Sequence, residues 1–329
     1  MLKTPFEWRE SPEVDPLRYF VDLPLAATYY PMGYAVQIRT NSRDALRAAE
    51  KLWRRYPILS DSDPVHIRIL ASSGPADPVR EVHPPRGQGH LLSIVHGPHD
   101  FAVADLRSGF AFCCLSEATV ANQSHFRYYF LEPLTYVMQA ARHFVFVHAS
   151  CVSRDGRAIL LCGDSGSGKT CLAYACAKRG WDFLSGDAVH IVRQNHDRMV
   201  IGRPYEIRFR KSARHLFPEL YGVSLEQRAN GVADLEADTS ELGIPTALQS
   251  CADQIVFLER SHITKLESFA VNGALRQLEK TICFGDEESR HEQRESLHYF
   301  ARLPILKLSY SDLDAAERTL ASLPVSTSL

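Results

Sequence analysis

The residues best suited to chemistry stand near the middle of the chain, in CGDSGSGKT at 162–170. Gly163-x4-Gly168-Lys169-Thr170 fits the form G-x-x-x-x-G-K-[ST], in which a glycine-rich turn aims backbone N–H groups at phosphate oxygens. The flanks fit as well. The apolar run AILLC supplies the preceding strand, and KTCLAYACAKR, ended by Gly180, supplies the following helix. Gly163, Asp164, Ser165, Gly166, Ser167, Gly168, Lys169 and Thr170 then form an anion cradle, helped by the partial positive charge of the helix N-terminus. In such a cradle Lys169 reaches the β and γ phosphates of a nucleotide, and Thr170 is a ligand for Mg2+.

A phosphoryl-transfer site also needs an acid to hold the metal or to take a proton from the acceptor. Asp187 is the candidate, within the strand-like stretch WDFLSGDAVHIV directly after the loop helix. A βαβ path would return it to the sheet edge that carries the phosphates. The cluster Arg203, Arg208, Arg210, Lys211 and Arg214 could meet a triphosphate or an acidic acceptor, or could be a solvated face. HGPH at 96–99 lacks further ligands at metal-site spacing, and DEESRHEQRE at 286–295 reads as a solvated helix face.

The elements that must position these groups divide the chain near residue 130. YAVQIR, VHIRIL, LLSIV, FAVADL and FAFCCL read as short strands before residue 116. Between the first two, NSRDALRAAEKLWRRY places Leu46, Ala49, Trp53 and Tyr56 on one helix face. Residues 1–32 show no clear period and receive no element, while 75–90 reads as an exposed loop rich in Pro, Gly and His. A helix over 130–144, with Leu131, Leu134, Val137, Met138 and Ala141 on one side, joins the halves. FVFVHASCV, the turn RDG and RAILLCG then read as a hairpin ending at the phosphate loop. PILKLSY closes the chain as a strand, and SDLDAAERTLASL as a helix started by Ser311 and Asp314.

The bulk numbers bound the class. Hydrophobic content of 45% and charged content of 23% over 329 residues fit a folded globular chain of one or two domains. A formal net charge of −2, with mixed signs throughout, disfavours a nucleic-acid partner. No apolar run approaches a membrane span and no secretion signal opens the chain, so no membrane partner and a cytoplasmic location are expected. The eight cysteines include no CxxC pair and read as reduced core thiols.

Residues 148–191 resemble the catalytic core of HPr kinase/phosphorylase, a bacterial serine kinase family whose phosphate loop is distantly related to that of phosphoenolpyruvate carboxykinase. The resemblance rests on His148, on the G-D-S-G-x-G-K-[ST] loop from Gly163 to Thr170, on Arg179-Gly180 and on Asp187, all in register. It implies an α/β fold with a C-terminal P-loop kinase domain of this type over 131–329. Residues 1–130 do not resemble the family's N-terminal domain, and their strand and helix pattern reads as a smaller α+β domain, expected to recognise substrate or partner because a second domain beside a phosphate loop is where an acceptor would dock. YEIRF at 205–209 resembles the family's E-I-R signature, which would make Glu206 a metal ligand and Arg208 a residue steadying phosphate or acceptor. His148 would orient Asp187 or the acceptor hydroxyl. Where the family has two acids this chain has Gly186-Asp187, leaving one carboxylate. The family often assembles into rings, so a homo-oligomer is implied.

The expected function is an ATP- and Mg2+-dependent kinase acting on a hydroxyl of a protein, peptide or small molecule. Lys169, Asp187 and His148 would be its catalytic residues, and Thr170, Glu206 and Asp187 its metal ligands. The alternative is a nucleotide-binding regulator that transfers nothing, favoured by Gly186. No N-K-x-D motif or apolar strand ending in D-E points to a GTPase or motor ATPase.

Overall fold

The structure is a computed structural model and describes residues 21–74, 84–193, 197–227, 233–282 and 284–324. Its first sheet comprises β1 (Leu25–Tyr29), β2 (Val36–Thr40), β3 (Val65–Ser72), β4 (Arg86–Gln88), β5 (Leu91–Val95), β6 (Phe101–Asp105) and β7 (Phe110–Ser116). The order is β1-β2-β3-β7-β6-β5-β4, with β2, β3 and β7 parallel and the other pairs antiparallel. Period-two alternation sends Val36, Ile38, Val65, Ile67 and Ile69 to one buried face. Against that face pack α1 (Arg43–Trp53) and the helical run α2 (Glu117–Ala121), α3 (Gln123–Phe126) and α4 (Glu132–Arg142).

Three local readings shift. On α1 the buried stripe is Ala45, Ala48, Ala49 and Trp53, with Leu46 and Tyr56 at its margin. The small alanines let the helix approach the sheet closely, which a larger Leu46 would prevent. β1 lies within the stretch given no element, because its alternation lasts only five residues between prolines. Part of the expected exposed loop, residues 75–83, falls outside the described residues, and β4 occupies its end.

The rest of the chain adds β8 (Phe144–Val147), β9 (Ser150–Arg154), β10 (Arg157–Cys162), α5 (Lys169–Lys178), β11 (Asp182–Ser185), β12 (Val189–Val192) and β13 (Met199–Ile201). A separate three-stranded sheet follows, in the order β14-β16-β15, from β14 (Glu206–Arg210), β15 (Leu225–Gln227) and β16 (Ala233–Asp238). Last come β17 (Gln249–Arg260), β18 (Lys265–Ser268), α6 (Val271–Leu278), α7 (Glu287–Phe300), β19 (Ile305–Tyr310) and α8 (Leu313–Ala321). The second large sheet runs β11-β9-β10-β17-β13-β12-β8, with β19 beside β17 and β18 beside β19.

One face of this sheet is covered by α5, α8 and the three-stranded sheet, through Leu172, Tyr174, Ile207, Phe209 and Ala316. The other is covered by α6 and α7, through Ala274, Leu278, Leu297 and Phe300. The molecule is thus an α/β protein of mixed sheets flanked by helices. No helix among the described residues is long and apolar enough to cross a membrane.

Two expected details differ. FVFVHASCV is two strands: the chain turns tightly at His148, where Ala149 N donates to Val147 O at 2.9 Å. β8 therefore pairs with β12, while β9 forms the hairpin with β10. The closing helix is capped by Asp312, whose Oδ1 accepts from Ala315 N at 2.7 Å, and not by Ser311.

Candidate phosphate-binding site

β10 and β17 run parallel with Cys162 opposite Phe257, so both end at one edge of the sheet. There the chain passes from β10 through residues 163–168 into α5. Gly163, Gly166 and Gly168 adopt φ of +133°, +91° and +96°, values that L side chains rarely take. Space is also denied: a Cβ on Gly163 would lie 2.8 Å from Leu258 O, and one on Gly168 2.3 Å from Tyr310 Oη. Tyr310 Oη donates to Ser167 O at 2.7 Å and Ser167 N to Asp164 O at 3.1 Å, which fixes the turn.

Lys169 is buried, and its Nζ doubles back over the turn to donate to Gly163 O at 2.8 Å and Asp164 O at 3.1 Å. Two of three ammonium donors are thereby used, and one remains for an anion. Burial lowers its pKa, aided by nearby Arg210 and opposed by Cys162, Asp164 and Asp187.

α5 leads into β11, which pairs antiparallel with β9, itself antiparallel to β10. β11 consequently runs in the direction of β10, and its C-terminal end delivers Gly186 and Asp187 beside the loop. The Gly186 carbonyl accepts from Ser150 Oγ and, at 2.8 Å, from Thr170 Oγ1. With its proton directed there, the Thr170 oxygen keeps a lone pair for a cation. His148, in the break between β8 and β9, lines the same cleft as Asp187. Partial burial and then the Lys169 ammonium push the His148 pKa down, so the imidazole is neutral at pH 7.

One cleft of about 320 Å³ brings together His148, Ser165, Gly166, Gly168, Lys169, Thr170, Asp187 and Arg208. Arg210, Asp234 and Arg260 also line it. β14 forms the far wall, from which Arg210 donates to Ser165 Oγ at 2.6 Å.

Glu206 lies next to the cleft and is not among its lining residues. It is engaged by Arg127 Nη2 at 2.9 Å and by Arg208. These belong to a buried network of three cations and three anions: Arg127, Arg203 and Arg208 with Glu132, Glu206 and Glu236. Burial opposes the charge on Arg208, and Glu132 and Glu206 outweigh it, so its pKa is raised. In Glu236 burial is overcome by Arg208 and Arg127, and the pKa falls.

Of the other basic residues, Arg203 holds Glu132 at 3.0 Å and Arg214 donates to the carbonyls of Leu220 and Val223. His96 Nδ1 lies 3.2 Å from His125 Nε2, but among the described residues no group of three or more His, Cys, Asp or Glu could hold a metal. A cation in the cleft would therefore rely on Thr170, Asp187 and oxygens of the ligand, the usual habit of Mg2+. Loop, lysine and threonine fit a magnesium–nucleotide complex on that ground. Sequence reasoning missed Arg260, although a cation ending the apolar run QIVFLER was a signal. It also missed Arg127 and Glu132, for which a single helix pattern gave none.

No protein-family model matches the chain, and no curated protein matches it. Among solved structures, the HPr(Ser) kinase/phosphatase from Coxiella burnetii matches at 11% identity, covering 54% of this chain and 93% of that one, with a TM-score of 0.27. At that score the likeness carries no argument.

Proposed function

We propose that the protein is an ATP- and Mg2+-dependent phosphotransferase acting on a hydroxyl acceptor. One observation carries the reading: a glycine turn crossed by Lys169 opens onto the same cleft as Thr170 and Asp187. ATP with Mg2+, when bound, supplies the transferable phosphoryl group. The loop N–H groups and Lys169 hold its charge in a fixed, partly dry setting, where oriented donors act most strongly. Thr170 and Asp187 hold the cation. Asp187, exposed at the cleft, takes the proton of the acceptor hydroxyl, and neutral His148, on the same cleft wall, orients that hydroxyl. Arg208 and Arg210 close the far wall, and Glu206 acts by positioning Arg208.

Asp187→Asn is expected to lower transfer at least a hundredfold while ATP affinity changes less than threefold, as read by labelled-phosphate transfer beside calorimetry. Unchanged turnover would remove Asp187 from the mechanism. A second reading, a nucleotide-binding regulator, draws on Gly186, whose added Cβ would meet Thr170 Cγ2 at 3.2 Å. It predicts tight binding with no transfer to any acceptor.

A further inference from the structure

Arg260 ends β17 beside the phosphate loop. Its guanidinium lies 4.5 Å over the ring of Tyr310, its partner across the β17–β19 ladder, and Tyr310 in turn fixes Ser167 O. A Cβ on Gly168 would come within 2.6 Å of Arg260 Nη2, so the cation touches the last residue of the loop. Its neighbour Glu259 is engaged by Lys307 at 2.9 Å and Ser309 at 3.2 Å, and among the described residues Arg260 has no carboxylate partner. An exposed arginine held flat on an aromatic ring, lining the cleft and without an acid, is built to meet an anion.

Which part of the ligand it meets follows from the loop. Lys169 Nζ lies over Gly163 and Asp164, which marks the first half of the loop as the β/γ-phosphate end. Gly168 and the first turn of α5, where Cys171 also lines the cleft, form the opposite end. We propose that Arg260, positioned by Tyr310, binds the α-phosphate of the nucleotide, so that a ligand long enough to fill this subsite is held more tightly than one that stops at the β and γ positions.

This inference rests on the nucleotide reading, and calorimetry with ATP, ADP and inorganic pyrophosphate separates the two. For Arg260→Ala the Kd for ATP and for ADP should each rise about tenfold or more, with binding of pyrophosphate, which fills only the β and γ subsites, unchanged. Arg260→Lys, which keeps the charge and loses the planar stack, should fall between. Because Arg260 is exposed, circular dichroism should show the variants folded. Equal ATP affinities for wild type and Arg260→Ala would overturn the proposal, as would a loss for pyrophosphate equal to that for ATP. A wild-type protein that binds none of the three ligands would overturn the nucleotide reading and this inference with it.

Discussion

At the scale of single residues, the cleft gathers groups whose ordinary behaviour is altered by their neighbours. Lys169 and His148 are both pushed away from their charged forms by burial, and both face Asp187. His190 carries the same effect further: fully buried on β12 among Tyr136, Phe144 and Phe146, its pKa falls to about 3. A histidine depressed in the fold binds fewer protons there than in the unfolded chain, so stability rises with pH between about 3 and 6.5. Moving from pH 7 to pH 5 should therefore weaken the fold by up to about 2 kcal/mol through His190, and urea denaturation at both values measures it. His190→Gln should flatten that slope; a slope unaltered in the variant would assign the effect elsewhere. The loop residues were legible in the sequence because each has a local duty that dictates its type, as Gly168 does at φ +96°. Arg260 and Tyr310 were not, since their meeting depends on β17 and β19 pairing across fifty residues.

At the scale of elements, short strands with clean alternation were readable, and β2, β3, β5, β6 and β7 stand where the pattern puts them. The break at His148 was not, because one apolar run served two different partners, β12 and β10. Nor was the three-stranded sheet, although it carries Arg208 and Arg210 over the loop. Its place is set by the network that ties β14 and β16 to the helical segment holding Arg127 and Glu132. Removing one cation from a buried cluster leaves two cations for three acids, which is far costlier than the loss of a surface pair. Arg127→Met is expected to destabilise by about 3 kcal/mol in chemical denaturation, and to weaken ATP binding through a displaced Arg208. A variant as stable as wild type would show that the network is solvated and does not brace the cleft wall.

At the scale of the whole molecule, polar and aromatic links join the first sheet and its helices to the phosphate-binding part. Arg55 Nη1 pairs with Asp238 at 2.6 Å and stacks over Tyr205, Tyr56 packs edge-on against Tyr205, and Ser289 Oγ donates to Ala141 O at 3.2 Å. The Arg55 and Tyr56 contacts, with the ion network, connect the first sheet to the wall opposite the loop. The α/β character was legible from the resemblance carried by the phosphate loop with its flanking strand and helix; the order of the sheets was not, because it depends on pairings such as β3 with β7, whose partners His66 and Phe110 are 44 residues apart. Phosphoryl transfer is tested by incubating the full chain with γ-labelled ATP, Mg2+ and an extract of its source cells, beside Lys169→Ala. Wild type should yield a labelled protein, peptide or metabolite, and Lys169→Ala at least a hundredfold less. Nucleotide bound at micromolar affinity with no label moved in any extract would contradict it.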